Sequence, residues 1–339
     1  MGQFATGHLF AQMSIIRDIV YGAAMRGGRL KDICENVGLN VSDLNDASRR
    51  VPIEQAIRVW EVCVKATGDK QLGLHLGSQT GPLILGLVGH LMQTSRTLKQ
   101  AFDQVVKFNE TFTNLFTYRM EDKKATTTLE FDPASIWKSL SPVTAQHAVD
   151  QAMAGTLSVF RMLAADKVMP TRIEMEMPRP RMWREYEEVF QLAVQFSCTG
   201  NRLVFDSHHL SAAVRSYDES LFASLTESLT KAKATAKSIK LTHKIHNLIL
   251  TDYMGQTPTI EMIASNFSMT PRSLQRKLTA ENTTFREVVA ATQMDVAKRL
   301  LSHQHKVSEV ARLLGYSDAR AFRRAFKSWT GNTPSKNLK

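Results

Sequence analysis

At 339 residues the chain exceeds a usual single domain, and its 43% hydrophobic content suffices for two or three ordinary cores. No apolar run approaches the roughly 18 residues that cross a bilayer, and Cys34, Cys63 and Cys198, odd in number and far apart, make neither a disulfide framework nor a zinc cluster. The formal charge of +11 is unevenly held: residues 231–339 carry 19 Lys and Arg against 7 Asp and Glu, whereas 1–230 carry 24 basic and 25 acidic residues. A basic module joined to a neutral one is the footprint of nucleic-acid binding fused to a domain with another task.

From the N-terminus, the stretch His8–Val20 is interrupted by Arg17 and Asp18 and reads as an amphipathic helix rather than a signal peptide, which places the chain in the cytoplasm. Met1-Gly2 with Thr6 fits the loose myristoylation pattern, a match taken as coincidence. Apolar periodicity predicts helices over 8–25, 30–37, 53–67, 83–94, 97–113 and 142–164. Between Thr113 and Phe131 the rhythm breaks into two β-rich runs, 116–120 and 126–131, around the turn Glu121–Lys124, which predicts a hairpin. Arg172–Glu176 and Leu203–Asp206 are further strand candidates. The expected fold of this part is mixed α/β, helices around a small antiparallel sheet.

Chemistry-bearing residues in this part are sparse. His75 and His90 lie on apolar helical segments and read as satisfied core histidines rather than metal or haem ligands. In Asp206-Ser207-His208-His209, Asp206 or Ser207 is suited to cap a following helix, and adjacent helical histidines diverge by about 100°. Gly81–Leu87 lacks the spacing of a phosphate loop and reads as a tightly packed helix. No nucleophile, base and orienting group assemble, so neither a catalytic centre, a metal nor a cofactor is predicted. The three cysteines are read as buried, reduced thiols.

Residues 216–240, with Lys231, Lys233, Lys237 and Lys240 among Ala, Ser and Thr, predict a solvated helical connector. Beyond it one pattern occurs twice: Ile260, Ile263, Ala264, Phe267, Leu274, Leu278 and then Val307, Val310, Ala311, Leu314, Phe322, Phe326. Each copy is a short helix closing on Ala, a turn, and a second helix with apolar residues at i and i+4, which is a helix-turn-helix. In the first copy Thr259 caps a helix to about Asn266, Phe267-Ser268-Met269 turns, Thr270 caps the next and Pro271 takes its first position. Thr270, Arg272, Ser273, Gln275, Arg276 and Lys277 are the expected DNA contacts, Arg suiting guanine and Gln adenine. Asn282 supplies a left-handed residue, Thr284 and Glu287 a capping box, and a linker helix runs from Phe285 to about Leu301. His303-Gln304-His305 is a polar hinge. In the second copy Gly315 turns, Ser317 caps the reading helix, and Ser317, Ala319, Arg320, Arg323, Arg324 and Lys327 are the expected contacts.

The runs Gly315-Tyr316-Ser317-Asp318, Ala321–Lys327, Trp329-Thr330-Gly331 and Thr333-Pro334-Ser335 resemble the C-terminal signature of the AraC/XylS family of bacterial transcription regulators. Leu274–Leu278 and Thr284–Glu287 resemble its first helix-turn-helix. Departures are mild: Leu278 stands where Phe is frequent, Asn282 where Gly is usual, and Gln293 where the linker helix commonly has Arg. Val51–Gln55, Leu72–Gly77, Gly86–His90 and Asn201–Phe205 resemble the arabinose-binding-like N-terminal domain of the ornithine and virulence regulators.

The resemblance implies an N-terminal effector-binding or dimerising domain over 1–215, the connector 216–240, and an all-α double helix-turn-helix domain over 241–339. It further implies recognition helices at about 271–280 and 318–327 in adjacent major grooves of double-stranded promoter or operator DNA. The implied protein is a cytoplasmic, nucleoid-associated bacterial activator and homodimer, working with RNA polymerase and an unidentified small-molecule effector, without a membrane or a cofactor. The alternative is a DNA-modifying or repair enzyme with a fused module of this type, which needs an activated cysteine.

Overall fold

The computed structural model describes residues 9–164, 168–236, 240–253, 257–267, 269–302 and 304–334. Met1, Gly2, Thr6, His8, Lys237, Ser268, His303 and Ser335, named above, lie outside them. Packing divides the chain into two compact units, Leu9–Pro133 with Ser141–Ala236, and Ala134–Leu140 with the stretch beyond Ala236. Among the described residues no helix is long and apolar enough to cross a membrane.

The first unit runs β1 (Phe10–Gln12), α1 (Met13–Met25), α2 (Leu30–Val37), β2 (Arg50–Pro52), α3 (Ile53–Thr67), α4 (Leu72–Gly77), α5 (Leu87–Thr94), α6 (Leu98–Lys107), α7 (Asn109–Phe112), β3 (Phe116–Asp122) and β4 (Thr126–Pro133). After α8 (Ser135–Leu140), which belongs to the second unit, follow α9 (Pro142–Leu163), β5 (Arg172–Glu174), α10 (Trp183–Phe190), β6 (Val194–Gln195), β7 (Asn201–Asp206) and α11 (Glu219–Ala236). The hairpin is present: β3 and β4 pair antiparallel, Tyr118 opposite Phe131, in a five-stranded sheet of order β3-β4-β7-β5-β6. Along β4 the alternate residues Thr127, Leu129 and Phe131 are buried while their neighbours are half-exposed, the period of two expected of a strand with one covered face. The core beneath gathers Phe102, Phe131, Phe160 and Phe205 with Leu157 and Met153 of α9.

Several expectations need correction. The predicted helix 8–25 begins later, because Phe10–Gln12 is a strand paired antiparallel with Arg50–Pro52. Three residues are too few for a period, and their partner lies forty positions on. The predicted helix 97–113 divides at Phe108 into α6 and α7. Gly81–Leu87 is not one helix: Pro82–Leu85 is a 3-10 turn, and Gly86, at φ 57° and ψ −130°, breaks the chain before α5. Neither Asp206 nor Ser207 caps the short 3-10 turn His209–Ser211, which has His208 before it. Ser207 Oγ instead pairs with Thr127 Oγ1 at 3.1 Å. The sheet is mostly antiparallel, but its edge pair β5–β6 is parallel.

The Leu72–Gly77 phrase has a packing reason. A Cβ on Gly73 would collide with the carbonyl of His147, so only Gly lets α4 approach α9 this closely. Gly73 N–H donates to His147 Nδ1 at 3.4 Å, and the His147 ring stacks on Trp60 at 5.5 Å. Burial lowers the His147 pKa to about 4, against the field of Asp69. His75 is half-buried between two carboxylates, Asp69 at 2.7 Å and Glu185 at 3.3 Å. His90 is exposed, not in the core. Among the described residues no group of three or more His, Cys, Asp or Glu could hold a metal ion.

Candidate nucleic-acid interface

The C-terminal stretch folds as α12 (Leu241–Asp252), α13 (Ile260–Asn266), α14 (Pro271–Ala280), α15 (Phe285–Ser302), α16 (Val307–Leu313) and α17 (Ala319–Thr330). Local chemistry sets the starts of four of these helices, α13, α14, α15 and α17. Thr259 Oγ1 accepts from Met262 N–H at 3.3 Å and Thr270 Oγ1 from Ser273 N–H at 3.2 Å, each satisfying an otherwise orphaned amide of a helix start. Thr284 and Glu287 form the reciprocal box, at 2.8 and 3.3 Å. Asn282 sits at φ 59° and Gly315 at φ 78°, the left-handed turns that both sequence positions predict.

Ser317 is not the cap of α17. Asp318 is: its Oδ1 accepts from Arg320 N–H at 2.7 Å and Ala321 N–H at 2.8 Å, and these bonds hold its carboxyl below the usual range. The hydroxyl of Ser and the carboxylate of Asp both make good caps, so the sequence alone leaves the helix start uncertain by one residue.

The apolar pattern does what its spacing predicts. Ile263, Ala264, Leu274 and Leu278 join Leu241, Ile245 and Ile249 of α12 and Val288 and Val289 of α15 in one cluster. In the second copy Val310, Ala311, Leu314, Phe322 and Phe326 are all buried. With those faces inward, the opposite faces are fixed. On α14, Arg272, Gln275, Arg276 and Lys277 are exposed, Ser273 is half-buried, and the exposed Thr270 uses its hydroxyl in the cap. On α17, Arg320, Arg323, Arg324 and Lys327 are exposed at i, i+3, i+4 and i+7, one stripe along the helix; Ser317 is exposed and Ala319 half-buried. Among the described residues no carboxylate lies within ion-pair distance of the stripe's four cations or of Arg272, Arg276 and Lys277. Like charges four apart on a helix repel by a few tenths of a kcal/mol, and of the nearby carboxylates Asp318 at the helix start attracts Arg324 and Arg320 without pairing with either.

Two polar constellations escaped the sequence reading. His246 of α12 reaches α15 through Nδ1 to Thr292 Oγ1 at 2.8 Å and Nε2 to Asp295 Oδ2 at 3.7 Å, and within α15 Arg299 Nη2 donates to the same Asp295 oxygen at 3.0 Å. Gln293 is also buried, and its amide meets Thr257, Leu314 and Tyr316. Burial of Thr292 and Gln293 could have been suspected from their place four residues after Val288 and Val289 and four before Val296 and Ala297, on the buried side of the helix.

Residues 27–214, more than half of the chain, match the model of the arabinose-binding domain at the N-terminus of AraC transcription regulators, and residues 263–339 match a helix-turn-helix domain. The chain belongs to the AraC family of transcription regulators. This AraC-family chain is 26% identical to the ornithine utilization regulator of Pseudomonas aeruginosa over 282 residues, covering 79% of this chain and 78% of that one. It is 23% identical to an HTH-type transcriptional regulator of Mycobacterium tuberculosis over 317 residues, 91% of each. Among solved structures, the regulator CdpR of Pseudomonas aeruginosa aligns over 91% of this chain and 96% of its own at 22% identity and a TM-score of 0.46.

Its domains and relatives are those of DNA-binding regulators, not of an enzyme. Two of the three thiols are unsuited to the alkyl transfer that the enzyme alternative needs. Cys34 and Cys63 are buried, and burial raises both thiols, Cys63 to about 12, far from the thiolate an alkyl acceptor needs. Cys198, expected to be buried, is half-exposed in the turn before β7.

Proposed function

We propose that α14 and α17 are the reading helices and enter successive major grooves on one face of double-stranded operator DNA. The observation that carries this reading is the pair of exposed polar stripes, Arg272-Gln275-Arg276 and Arg320-Arg323-Arg324-Lys327, each backed by a buried apolar stripe on the same helix. An α15 of 18 residues spans about 27 Å, near the roughly 34 Å of one DNA turn. Arg276 and Gln275 suit base edges; the arginines of α17 divide between guanine edges and phosphate. Thr270, Ser273, Lys277, Ser317 and Ala319 complete the contact set.

The division of labour follows the sequence reading: 1–215 binds an effector or dimerises, 216–240 connects, and 241–339 reads DNA. Activation through RNA polymerase, a homodimeric state, a small-molecule effector, and residence in the bacterial cytoplasm at the nucleoid belong to the same proposal. They rest on the family to which the chain belongs.

Selection of bound duplexes from a randomised pool by the purified full chain, followed by footprinting, tests the reading. Two half-sites about one helical turn apart are expected, with different sequences because the two stripes differ. Enrichment of no sequence, or of a single short half-site, would overturn it.

A further inference from the structure

We infer that Gln293 sets the mutual orientation of the two helix-turn-helix units, and thereby the half-site spacing that the protein accepts. It stands in the middle of α15, 5% exposed, and both ends of its planar amide reach toward the units on either side. Nε2 donates to Thr257 Oγ1 at 2.9 Å and toward the Leu314 carbonyl at 3.5 Å, while Oε1 accepts from the Tyr316 hydroxyl at 3.1 Å. Thr257 lies two residues before the cap of α13, at the entry to the first unit. Leu314 and Tyr316 bracket Gly315 in the turn between α16 and α17. One side chain therefore joins the start of the first unit to the turn of the second.

The apolar contacts of each unit with α15 tolerate small rotations, because dispersion and burial are non-directional. Hydrogen bonds are directional, and an amide held at both its nitrogen and its oxygen narrows the arrangements of the groups it joins. Tyr316 carries that constraint to the reading helix: its ring packs edge-on against Phe322 at 5.6 Å and Trp329 at 6.3 Å, both on α17. An apolar residue of similar volume would fill the space equally well. A polar residue at this buried place thus specifies geometry rather than adding stability, as a single buried amide does in a coiled-coil seam. Gln293 is a positioning residue; it touches no DNA.

This rests on the two-groove proposal, and the experiment separates the two. Duplexes selected by the full chain are remade with one base pair added or removed between the half-sites, and as single half-sites. One base pair turns the second groove by about 35°, so the wild type should lose about tenfold or more in affinity, ~1.4 kcal/mol, on the altered spacings. Gln293→Leu should bind the native spacing about tenfold more weakly and discriminate among spacings less than about threefold, with half-site affinity within about twofold of wild type. Tyr316→Phe, which keeps the ring and removes the donor, should move in the same direction by a smaller factor, and carries the test if Gln293→Leu fails to fold. Wild-type spacing discrimination in folded variants would overturn the inference, as would equal losses on full and half-sites. Failure to select two half-sites overturns the groove proposal itself and this inference with it.

Discussion

Glu281, one residue past α14, accepts the Leu241 backbone N–H at 2.6 Å and the Thr242 N–H at 2.9 Å, forty positions back in the chain. Lys240, at the N-cap position of α12, makes no side-chain cap of its own, so Glu281 caps α12 from a distance and ties the entry of the DNA-binding unit to the end of α14. Burial raises the Glu281 carboxyl, but the amides of Thr242 and Leu241 outweigh it and hold it below its usual value.

Loss of that cap should be measurable. Glu281→Ala is expected to cost about 1 kcal/mol, the usual worth of a helix N-cap, and to reduce hydrogen-exchange protection of the Leu241 and Thr242 amides. Because the folded carboxyl lies below its unfolded value, its contribution is present above the unfolded pKa and fades as pH falls through the folded one. A melting curve of Glu281→Ala that keeps the wild-type acid dependence would contradict this account.

The two candidate caps of α17 give opposite outcomes. Asp318→Ala should lower the denaturation midpoint clearly, while Ser317→Ala should leave it near wild type, because only Asp318 meets the free amides. Denaturant titration of the two variants decides between them.

Arg276→Ala should cost roughly 1–3 kcal/mol on the selected site and relax specificity at one base pair. Equal losses on selected and random DNA would reassign Arg276 to a phosphate.

Affinity should fall steeply with salt, by about 10³ or more between 50 and 200 mM if six or more phosphates are contacted. Substitution of one phosphate-contacting arginine of the α17 stripe by Ala should reduce the slope of log K against log salt by about 0.9. A salt-independent affinity would exclude the stripe from the interface.

In the N-terminal unit, Tyr186 donates its hydroxyl to Asp150 at 2.9 Å and Gln146 its amide at 2.8 Å, yet burial pushes the Asp150 carboxyl up to about 7. A raised folded value means that its stabilising effect is complete below about pH 4 and is lost as pH rises toward 7. His147 works the other way: its neutral form is favoured, so stability falls as pH drops from about 6.5 toward 4. Asp150→Asn should remove the first slope and leave the second, raising the melting temperature relative to wild type at pH 8. An unchanged difference between the two proteins from pH 4 to 8 would refute the buried carboxyl's role.

Much of the DNA-binding unit was legible in the sequence because its structure is decided locally. Caps at Thr259 and Thr270, the box at Thr284 and Glu287, and the left-handed residues Asn282 and Gly315 each act within four residues, and the i, i+4 spacing of Leu274 with Leu278 and of Phe322 with Phe326 names the buried face. Once that face is known, the exposed stripe follows from helix geometry. In the N-terminal unit the hairpin 116–133 was readable for the same reason, a period of two around a short turn.

What the sequence could not supply are contacts between residues far apart in the chain. The strand Phe10–Gln12 exists only because Arg50–Pro52 pairs with it, and Gly73 is intelligible only against the carbonyl of His147. In the sequence Gln293 is a mild departure within a linker helix; its role depends on Thr257 and Tyr316, which only the fold brings onto its amide. The doubled helix-turn-helix and its charge were written in the sequence, since short-range hydrogen bonds and periodic burial depend on neighbours. How its parts are held to one another was decided by the tertiary structure, because a buried polar group takes whichever distant partner the fold brings within 3 Å or so.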